Sequence, residues 1–235
     1  MASEDVDYFQ NEHHDNYFDN DFDKINELTY LPWVGSKYKG LYNKQKILVI
    51  AESVYNWDEN SQHAWASVNG RNFSRHVVHK HGLYHTVSGG VENAPTYRNL
   101  ERSLSGQRNL SPEARVEFWS SIAFQQHVQR PMRNKKERPS PEDYEKGSRV
   151  LKDIISITKP DLCVYMGTDW RKLSAIMDVF GIQEIKQYSK INGAIPKKLT
   201  LELQGSTIPL IMIKHPNRFF SWDKWFNEVI KDEIK

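Results

Sequence analysis

The sequence predicts an α/β fold in which helices cover both faces of a mostly parallel sheet, a three-layer α/β/α sandwich. Short apolar runs typical of buried strands alternate along the chain with segments of helical periodicity. Hydrophobic residues make up 38% of the 235 residues, which is enough to bury a sizeable core. We therefore expect a single α/β domain over residues 31–235, preceded by an acidic arm over residues 1–30.

Four apolar runs are predicted to be strands, and they span residues 45–52, 121–128, 161–167 and 208–213. Each run is short, rich in branched residues and bounded by polar residues, which is typical of buried parallel strands. Open α/β sheets bind ligands at the carboxyl ends of their strands. The residues that follow these runs are therefore the first candidates for a functional site.

Helix starts are marked by Ser111 and Ser140, which each precede a proline and an acidic residue. Serine is a favoured N-cap and proline a favoured first helical residue, so helices are predicted from residues 112 and 141. The second helix is expected to end near Thr158, before Pro160. Residues 170–180 and 221–234 also have helical patterns.

Composition excludes several classes of protein. Cys163 is the single cysteine, so an internal disulfide and a cysteine-based metal cluster are excluded. No apolar run approaches the roughly 18 residues of a membrane span, and the acidic start does not have the pattern of a signal peptide. We expect a cytoplasmic protein that does not enter a membrane.

Charge is distributed unevenly along the chain. Residues 1–30 hold nine acids and one base, a net charge of −8, and the other 205 residues carry a net charge of +10. A basic body of this kind attracts polyanions such as nucleic acid, although a solvated surface balanced by the arm would have the same composition. Aromatic residues among the acids of the arm suggest that it packs against a basic groove.

Three segments at predicted strand ends carry further polar signals. Residues 51–55 read AESVY, residues 214–217 read KHPN, and residues 130–141 read RPMRNKKERPSP, with five bases and one acid. The last segment is followed by a helix and by the strand KPDLCVYMG at residues 159–167. In this order and on this background, the segments resemble the motifs of the uracil-DNA glycosylase superfamily, over about residues 45–225.

The resemblance implies a monofunctional DNA N-glycosylase that flips a nucleotide out of the DNA and hydrolyses its N-glycosidic bond without a cofactor. The departures from the family concern the base. Ala51 stands in place of the usual glycine, Ser53 in place of the water-activating aspartate, and Gln126 near the position of the asparagine that reads uracil. Plain uracil is therefore not the expected target. A hypermodified pyrimidine of phage DNA, removed in antiviral defence, is one candidate.

Two residues are predicted to be catalytic. Glu52 ends an apolar strand, and its carboxylate would stabilise the sugar cation that forms when the base departs. Partial burial is expected to raise the pKa of Glu52, although a helix-capping or ion-paired glutamate would leave the same signal. His215 matches the family's His-Pro motif and would donate to the leaving base. The structural alternative is a histidine satisfied at a strand end.

The predicted base-binding residues are Ser53, Tyr55, Trp57 and Gln126. The Gln126 amide both donates and accepts, as reading the edge of a base requires. Strand alternation places Gln126 and Phe124 on one face and Gln125 on the other. Tyr55 matches the aromatic residue beside the pyrimidine C5 edge in uracil-specific relatives. Trp57 is a stacking residue or a core residue.

DNA contacts are predicted from basic and loop residues, which are Arg75, Arg130, Arg133, Lys135, Lys136, Arg138, Asn217, Arg218 and Phe219. The arginines and lysines would contact phosphates, giving a salt-dependent affinity. In the family, the loop after the His-Pro motif presses on the DNA strand and fills the gap left by the flipped nucleotide. Of Phe219 and Phe220, we expect one to be exposed as a wedge and the other to anchor the last helix.

The spacing of His76, His79, His81 and His85 is compatible with a zinc site, but a polar helix near the site is the preferred interpretation, and no metal is expected. We expect a monomer whose partner is DNA. Two alternatives stay open at this point. One is a nucleic-acid-binding module without catalysis, and the other is a hydrolase of a small nucleotide or another glycosylated molecule.

Overall fold

The computed structural model describes residues 13–40, 45–55, 70–84, 95–134, 136–217 and 219–234. The strands in these ranges are β1 (Trp33–Val34), β2 (Ile47–Ala51), β3 (Val54–Tyr55), β4 (Ile122–Gln126), β5 (Pro131–Met132), β6 (Leu162–Met166), β7 (Lys186–Gln187), β8 (Lys197–Leu203) and β9 (Ser206–Ile213). The helices are α1 (Asp19–Phe22), α2 (Phe73–Val77), α3 (Pro95–Ser105), α4 (Pro112–Ser121), α5 (Pro141–Thr158), α6 (Trp170–Phe180) and α7 (Trp222–Trp225). Two π-helical segments, Val78–Tyr84 and Phe226–Ile230, continue α2 and α7.

Seven of the described strands form one mixed sheet in the order β1-β4-β2-β6-β9-β8-β7. The central strands β4, β2, β6 and β9 are parallel to one another, whereas β1, β8 and β7 are added antiparallel to their neighbours. The prediction of an α/β fold is confirmed. The prediction of a mostly parallel sheet is too strong, because half of the pairings within this sheet are antiparallel.

The additional antiparallel pairing comes mainly from the β8–β9 hairpin. Gln204 and Gly205 connect the two strands, and both have positive φ, at 51° and 79°. Two such residues in a two-residue loop are the geometry of a type I′ turn, which matches the twist of a hairpin. The Gln-Gly pair is a weak turn signal, and about half of the residues of β8 are polar. Strand β8 was therefore not among the predicted strands.

The predicted capped helices are confirmed. Ser111 accepts a hydrogen bond from the backbone of Ala114 at the start of α4. Ser140 and Asp143 form a reciprocal capping box at the start of α5, which ends at Thr158 as predicted. Among the helices of the described residues, none combines the length and apolar character that crossing a membrane requires.

Two hydrophobic clusters cover the two faces of the sheet. Ile47, Val49 and Ala51 of β2 point into a cluster that contains residues of α3, α4 and α7. Leu48 and Ile50 point into the opposite cluster, which contains residues of α5 and α6. Strict alternation along β2 therefore decides which helix layer each side chain of this strand meets.

The described part of the acidic segment, residues 13–30, packs against the body of the domain. Phe22 is fully buried in the cluster beneath α5 and α6. Asp19 pairs with Arg75, and Glu27 lies 3.3 Å from Arg149. The negative charge of this segment is thus partly neutralised by cations of the body.

Candidate active site at the carboxyl edge of the sheet

The four parallel strands end at one edge of the sheet and bring the predicted catalytic residues there. Glu52 follows β2, Gly167 follows β6, and His215 lies two residues after β9. The chain after β4 stays beside β2, since the His127 and Val128 amides donate to the carbonyls of Ala51 and Glu52 at 2.8 and 2.9 Å. This edge is the candidate active site.

Glu52 is held by one of its two carboxylate oxygens. The Tyr144 hydroxyl of α5 donates to Oε1 at 2.7 Å, and the Lys172 ammonium of α6 lies 2.5 Å from the same oxygen. Among the described residues, no donor contacts Oε2. The side chain is 20% exposed, so Oε2 is the oxygen available to a ligand.

The environment of Glu52 corrects the expected direction of its pKa shift. Burial alone would raise the pKa, as the sequence analysis expected. The Lys172 ammonium and the Tyr144 hydroxyl outweigh burial, because both stabilise the charged form, and the pKa of Glu52 is lowered. The carboxylate is therefore ionised at neutral pH.

Lys172 occupies space that exists because residue 167 is glycine. Gly167 has a φ of +130°, and a Cβ there would lie 2.6 Å from Lys172 Nζ. Lys172 is only 4% exposed. Lys172 and Tyr144 carry no sequence signal of this role, because a lysine or tyrosine within a polar helical turn is ordinarily expected to face solvent.

A second buried polar group, His127, lies within electrostatic range of Glu52. His127 is fully buried, with Nδ1 2.5 Å from the Tyr165 hydroxyl and Nε2 3.0 Å from Ser148 Oγ. Burial lowers the pKa of His127 to about 3, and the Lys172 ammonium acts in the same direction, so the ring is neutral. These hydrogen bonds tie the end of β4 to β6 and α5 next to the candidate site.

His215 lies within electrostatic range of Glu52 and Lys172 and remains exposed. Removal of water by neighbouring protein atoms lowers the pKa of His215, the Lys172 ammonium lowers it further, and Glu52 opposes them. The imidazole is thus neutral at pH 7, with one N–H to donate and one nitrogen to accept. The structure brings together both predicted catalytic residues.

The predicted base-binding residues are divided between the two sides of the sheet. Tyr55 packs with Val128 and Tyr144 on the side of Glu52. Gln126 is 4% exposed and pairs with Ala51 in the sheet, so it shares a face with Phe124, as the alternation predicts, but that face is the one opposite Glu52. The expected grouping of Gln126 with Glu52 in one site is therefore corrected. Ser53 Oγ and Gln126 Oε1 are buried without a partner among the described residues, and Trp57 lies outside them.

The basic loop contains one internally paired arginine and several exposed cations. Arg130 forms a two-pronged contact with Asp143 at 2.6 and 2.7 Å and also binds Glu137 at 2.9 Å. It braces the loop against α5, and this pairing competes with a phosphate contact. Arg133, Lys136 and Arg138 are exposed. The Arg138 guanidinium lies 5.9 Å from the centre of the Tyr55 ring, and Lys135 lies outside the described residues.

Arg75 was predicted to contact DNA phosphates, but its guanidinium is buried and bonded within the domain. Its guanidinium donates to Asp19 and to the Pro32 carbonyl, and its side chain is 5% exposed. The charge of Arg75 is therefore directed into the domain. The nearby His76, His79 and His81 belong to no group of potential metal ligands among the described residues, and His85 lies outside them.

The loop after His215 has the predicted division of its aromatic residues. Phe219 is 90% exposed and has a φ of +63°. Phe220 is 7% exposed and stacks on Trp225 of α7, with ring centroids 5.6 Å apart. The backbone of Asn217 accepts a hydrogen bond from Asn99, which ties the loop to α3. Arg218 lies outside the described residues.

Comparisons with known proteins add no functional information. No protein-family model and no curated protein matches the chain. Among solved structures, it is similar to a domain of unknown function (DUF1537) from Bordetella bronchiseptica, crystallised with bound citrate, with 8% identity and a TM-score of 0.34. The match covers 81% of this chain and 42% of the other, so this chain spans less than half of that protein's length. A similarity this low carries no argument.

Proposed function

We propose that this protein is a monofunctional DNA glycosylase that flips a modified base out of DNA and hydrolyses its N-glycosidic bond. The observation that carries the proposal is an ionised carboxylate, Glu52, anchored through Oε1 and open at Oε2, beside a neutral histidine, His215, at the carboxyl edge of an α/β sheet. The proposal includes the finer fold assignment, a three-layer α/β/α sandwich of the uracil-DNA glycosylase type.

The proposed reaction uses the two residues at different atoms of the substrate. The bond between C1′ and the base nitrogen breaks, and its electron pair leaves with the base while positive charge develops on the sugar. Glu52 stabilises that charge through Oε2. His215 donates a hydrogen bond to the base as it gains negative charge. Water adds to C1′, Glu52 accepts its proton, and the base takes a proton from solvent, which leaves an abasic site.

The DNA is proposed to approach across the exposed cations of the basic loop, Arg133, Lys136 and Arg138. These residues would contact phosphates and give an affinity that falls with salt. Arg138 and Tyr55 together offer a cation and a ring face beside Glu52, which suits a base lifted out of the stack. Phe219 is proposed to fill the gap that the base leaves. No cofactor takes part in this scheme.

The test is base release from genomic DNAs that are unmodified, uracil-containing, hydroxymethylcytosine-containing or glucosylated. Alkali-sensitive breaks in one DNA would establish the activity and name its base. Glu52→Gln should lower the rate by about a hundredfold or more, since it removes the charge opposite the sugar cation. Glu202→Gln, at an exposed position of β8, is the matched control and should leave the rate unchanged. Breaks formed equally by wild type and Glu52→Gln would remove Glu52 from the mechanism.

One observation favours a second candidate, a DNA-binding module without catalysis. The Lys172 ammonium neutralises part of the charge on Glu52, which weakens its effect on a sugar cation. Salt-sensitive binding with no abasic product from any of the four DNAs would support this candidate. A hydrolase of small nucleotides would instead show no DNA binding even at low salt.

A further inference from the structure

Most of the exposed large apolar side chains among the described residues lie at one edge of the sheet. There are four such residues in these ranges, Tyr17, Trp170, Ile195 and Phe219. Trp170 is 58% exposed at the start of α6, Ile195 is 39% exposed just before β8, and Phe219 is 90% exposed after β9. These three lie at the carboxyl ends of β6 and β9 and at the amino end of the antiparallel β8, which is the same edge of the sheet, whereas Tyr17 belongs to the N-terminal segment.

Hydrogen bonds join the loops that carry these three residues into one surface. Lys197 Nζ donates to the carbonyl of Thr168 at 2.6 Å, which ties the start of β8 to the loop before Trp170. Lys214 Nζ donates to the carbonyl of Asn192 at 3.3 Å, and the Asn192 amide donates to Ser221 Oγ. The loop with Ile195 is therefore fixed to the loop with Phe219. We call Trp170, Ile195 and Phe219 with these loops the apolar rim.

Cations lie among the apolar residues of the rim. Lys190 and Arg171 are exposed, and Lys214 is partly exposed. Asp169 is the acid beside Trp170, and it is paired with Arg171 at 3.0 Å. Exposed rings interleaved with cations are the arrangement by which proteins bind single-stranded nucleic acid, because bases stack on the rings and phosphates pair with the cations.

The rim is carried by the same strand-to-helix connections as residues of the candidate active site. Trp170 lies two residues before Lys172, the lysine that contacts Glu52. Phe219 lies four residues after His215. A nucleotide held at Glu52 and His215 would therefore have its neighbours along the same strand within reach of the rim.

We propose that the apolar rim binds unpaired bases next to the target nucleotide, so that the protein prefers single-stranded DNA to a duplex. This inference rests on the proposal that DNA is the ligand and adds to it a strand preference, a stacking residue, Trp170, and an aliphatic contact, Ile195. In a duplex, these bases are stacked on their neighbours and their faces are not available to Trp170.

The test is binding of an unmodified, labelled oligothymidine of about twelve nucleotides, compared with the same strand in a duplex, by fluorescence anisotropy at about 0.1 M salt. Trp170→Ala should weaken single-strand binding by about tenfold or more, since stacking of one base on a ring is typically worth that much. Trp170→Phe keeps a ring face and should retain most of the affinity. The matched control is Tyr17→Ala, which removes an aromatic ring that is 65% exposed on another surface and should change affinity less than about twofold.

The outcomes separate this inference from the proposed function. Single-strand affinity unchanged in Trp170→Ala, or a duplex bound as tightly as the single strand, would overturn the rim as a base-binding surface while leaving a glycosylase possible. No binding of either DNA by the wild type would overturn both proposals. Binding that depends on Trp170, with no base release from any DNA, would support the rim and remove the glycosylase.

Discussion

Replacing Lys172 by methionine is expected to raise the pKa of Glu52 and to shift the pH dependence of the proposed reaction. Lys172 Nζ lies 2.5 Å from Glu52 Oε1, and the ammonium and the Tyr144 hydroxyl together hold the pKa of Glu52 below its ordinary value against the effect of burial. Methionine fills a similar volume without the charge. Burial then acts against the Tyr144 hydrogen bond and the weaker effect of His215.

The expected size of the effect follows from the contact distance. An opposite charge within about 4–6 Å lowers the pKa of a carboxyl group by roughly 1–3 units, and this pair is closer than that. Loss of Lys172 should therefore raise the pKa of Glu52, and each pKa unit of that rise is equivalent to about 1.4 kcal/mol between the two protonation states. The acid limb of base release should move to higher pH by the same amount.

The same shift has a consequence for stability with a definite sign. In the wild type, the folded-state pKa of Glu52 lies below the unfolded value, so its ionised form stabilises the fold above that unfolded pKa. This contribution is lost as the pH falls through the folded-state pKa. In Lys172→Met, the folded-state pKa of Glu52 is higher than in the wild type, so ionisation of Glu52 contributes less to stability at neutral pH. The variant should be destabilised more at pH 7 than at pH 4.

The assay is a carbon-13 NMR titration of the Glu52 carboxyl group, assigned by its absence from the Glu52→Gln spectrum. Lys198→Met is the matched control, because Lys198 makes the same kind of ion pair with Glu233 on another part of the surface. The control should leave the pKa of Glu52 unchanged. An unchanged Glu52 pKa in Lys172→Met would refute the reasoning, whatever happened to activity.

Three further predictions concern the edge of the sheet and the N-terminal segment. Gly167→Ala should lower the free energy of unfolding, measured by urea denaturation, by about 1–3 kcal/mol. The reason is that φ is +130° at this position and the new Cβ would lie against Lys172 Nζ. An unchanged free energy of unfolding would contradict this close approach. Asp19→Asn should lower the free energy of unfolding by about 3 kcal/mol, because it leaves Arg75 buried without its charge partner. A thermal unfolding midpoint equal to that of the wild type would count against that pairing. His215→Asn should lower kcat of base release by about a hundredfold with little change in KM, and a loss confined to KM would make it a binding residue only.

The elements that were predicted well are those whose signals are local. The ILVIA run that forms β2 is apolar throughout because helices cover both of its faces, and such a run identifies a buried strand without other information. The side chains of Ser140 and Asp143 each accept a hydrogen bond from the other residue's backbone N–H within one turn, so the start of α5 is encoded in four residues. Strand β8 has no comparable local signal, since its fixed position comes from pairing with β9.

The functional residues show the same limit more sharply. Glu52 and His215 could be placed at strand ends from the sequence, because strand ends are local features. The role of Lys172 could not be predicted in this way. It depends on the absence of a side chain at Gly167, which leaves room for the ammonium, and on a carboxylate 120 positions earlier in the chain. Arg75 and Arg130 were interpreted as exposed cations for a related reason. Their acidic partners come from other elements, so their pairing became evident only in three dimensions.

The most direct test of the central claim is the single-turnover rate of base release on whichever DNA acquires alkali-sensitive sites, measured for the wild type and for Glu52→Gln at neutral pH. If Glu52 stabilises the sugar cation that forms as the base departs, Glu52→Gln will bind that DNA as the wild type does and release its base at least about a hundredfold more slowly. Equal rates, or no base release by the wild type from any DNA that it binds, would contradict the account.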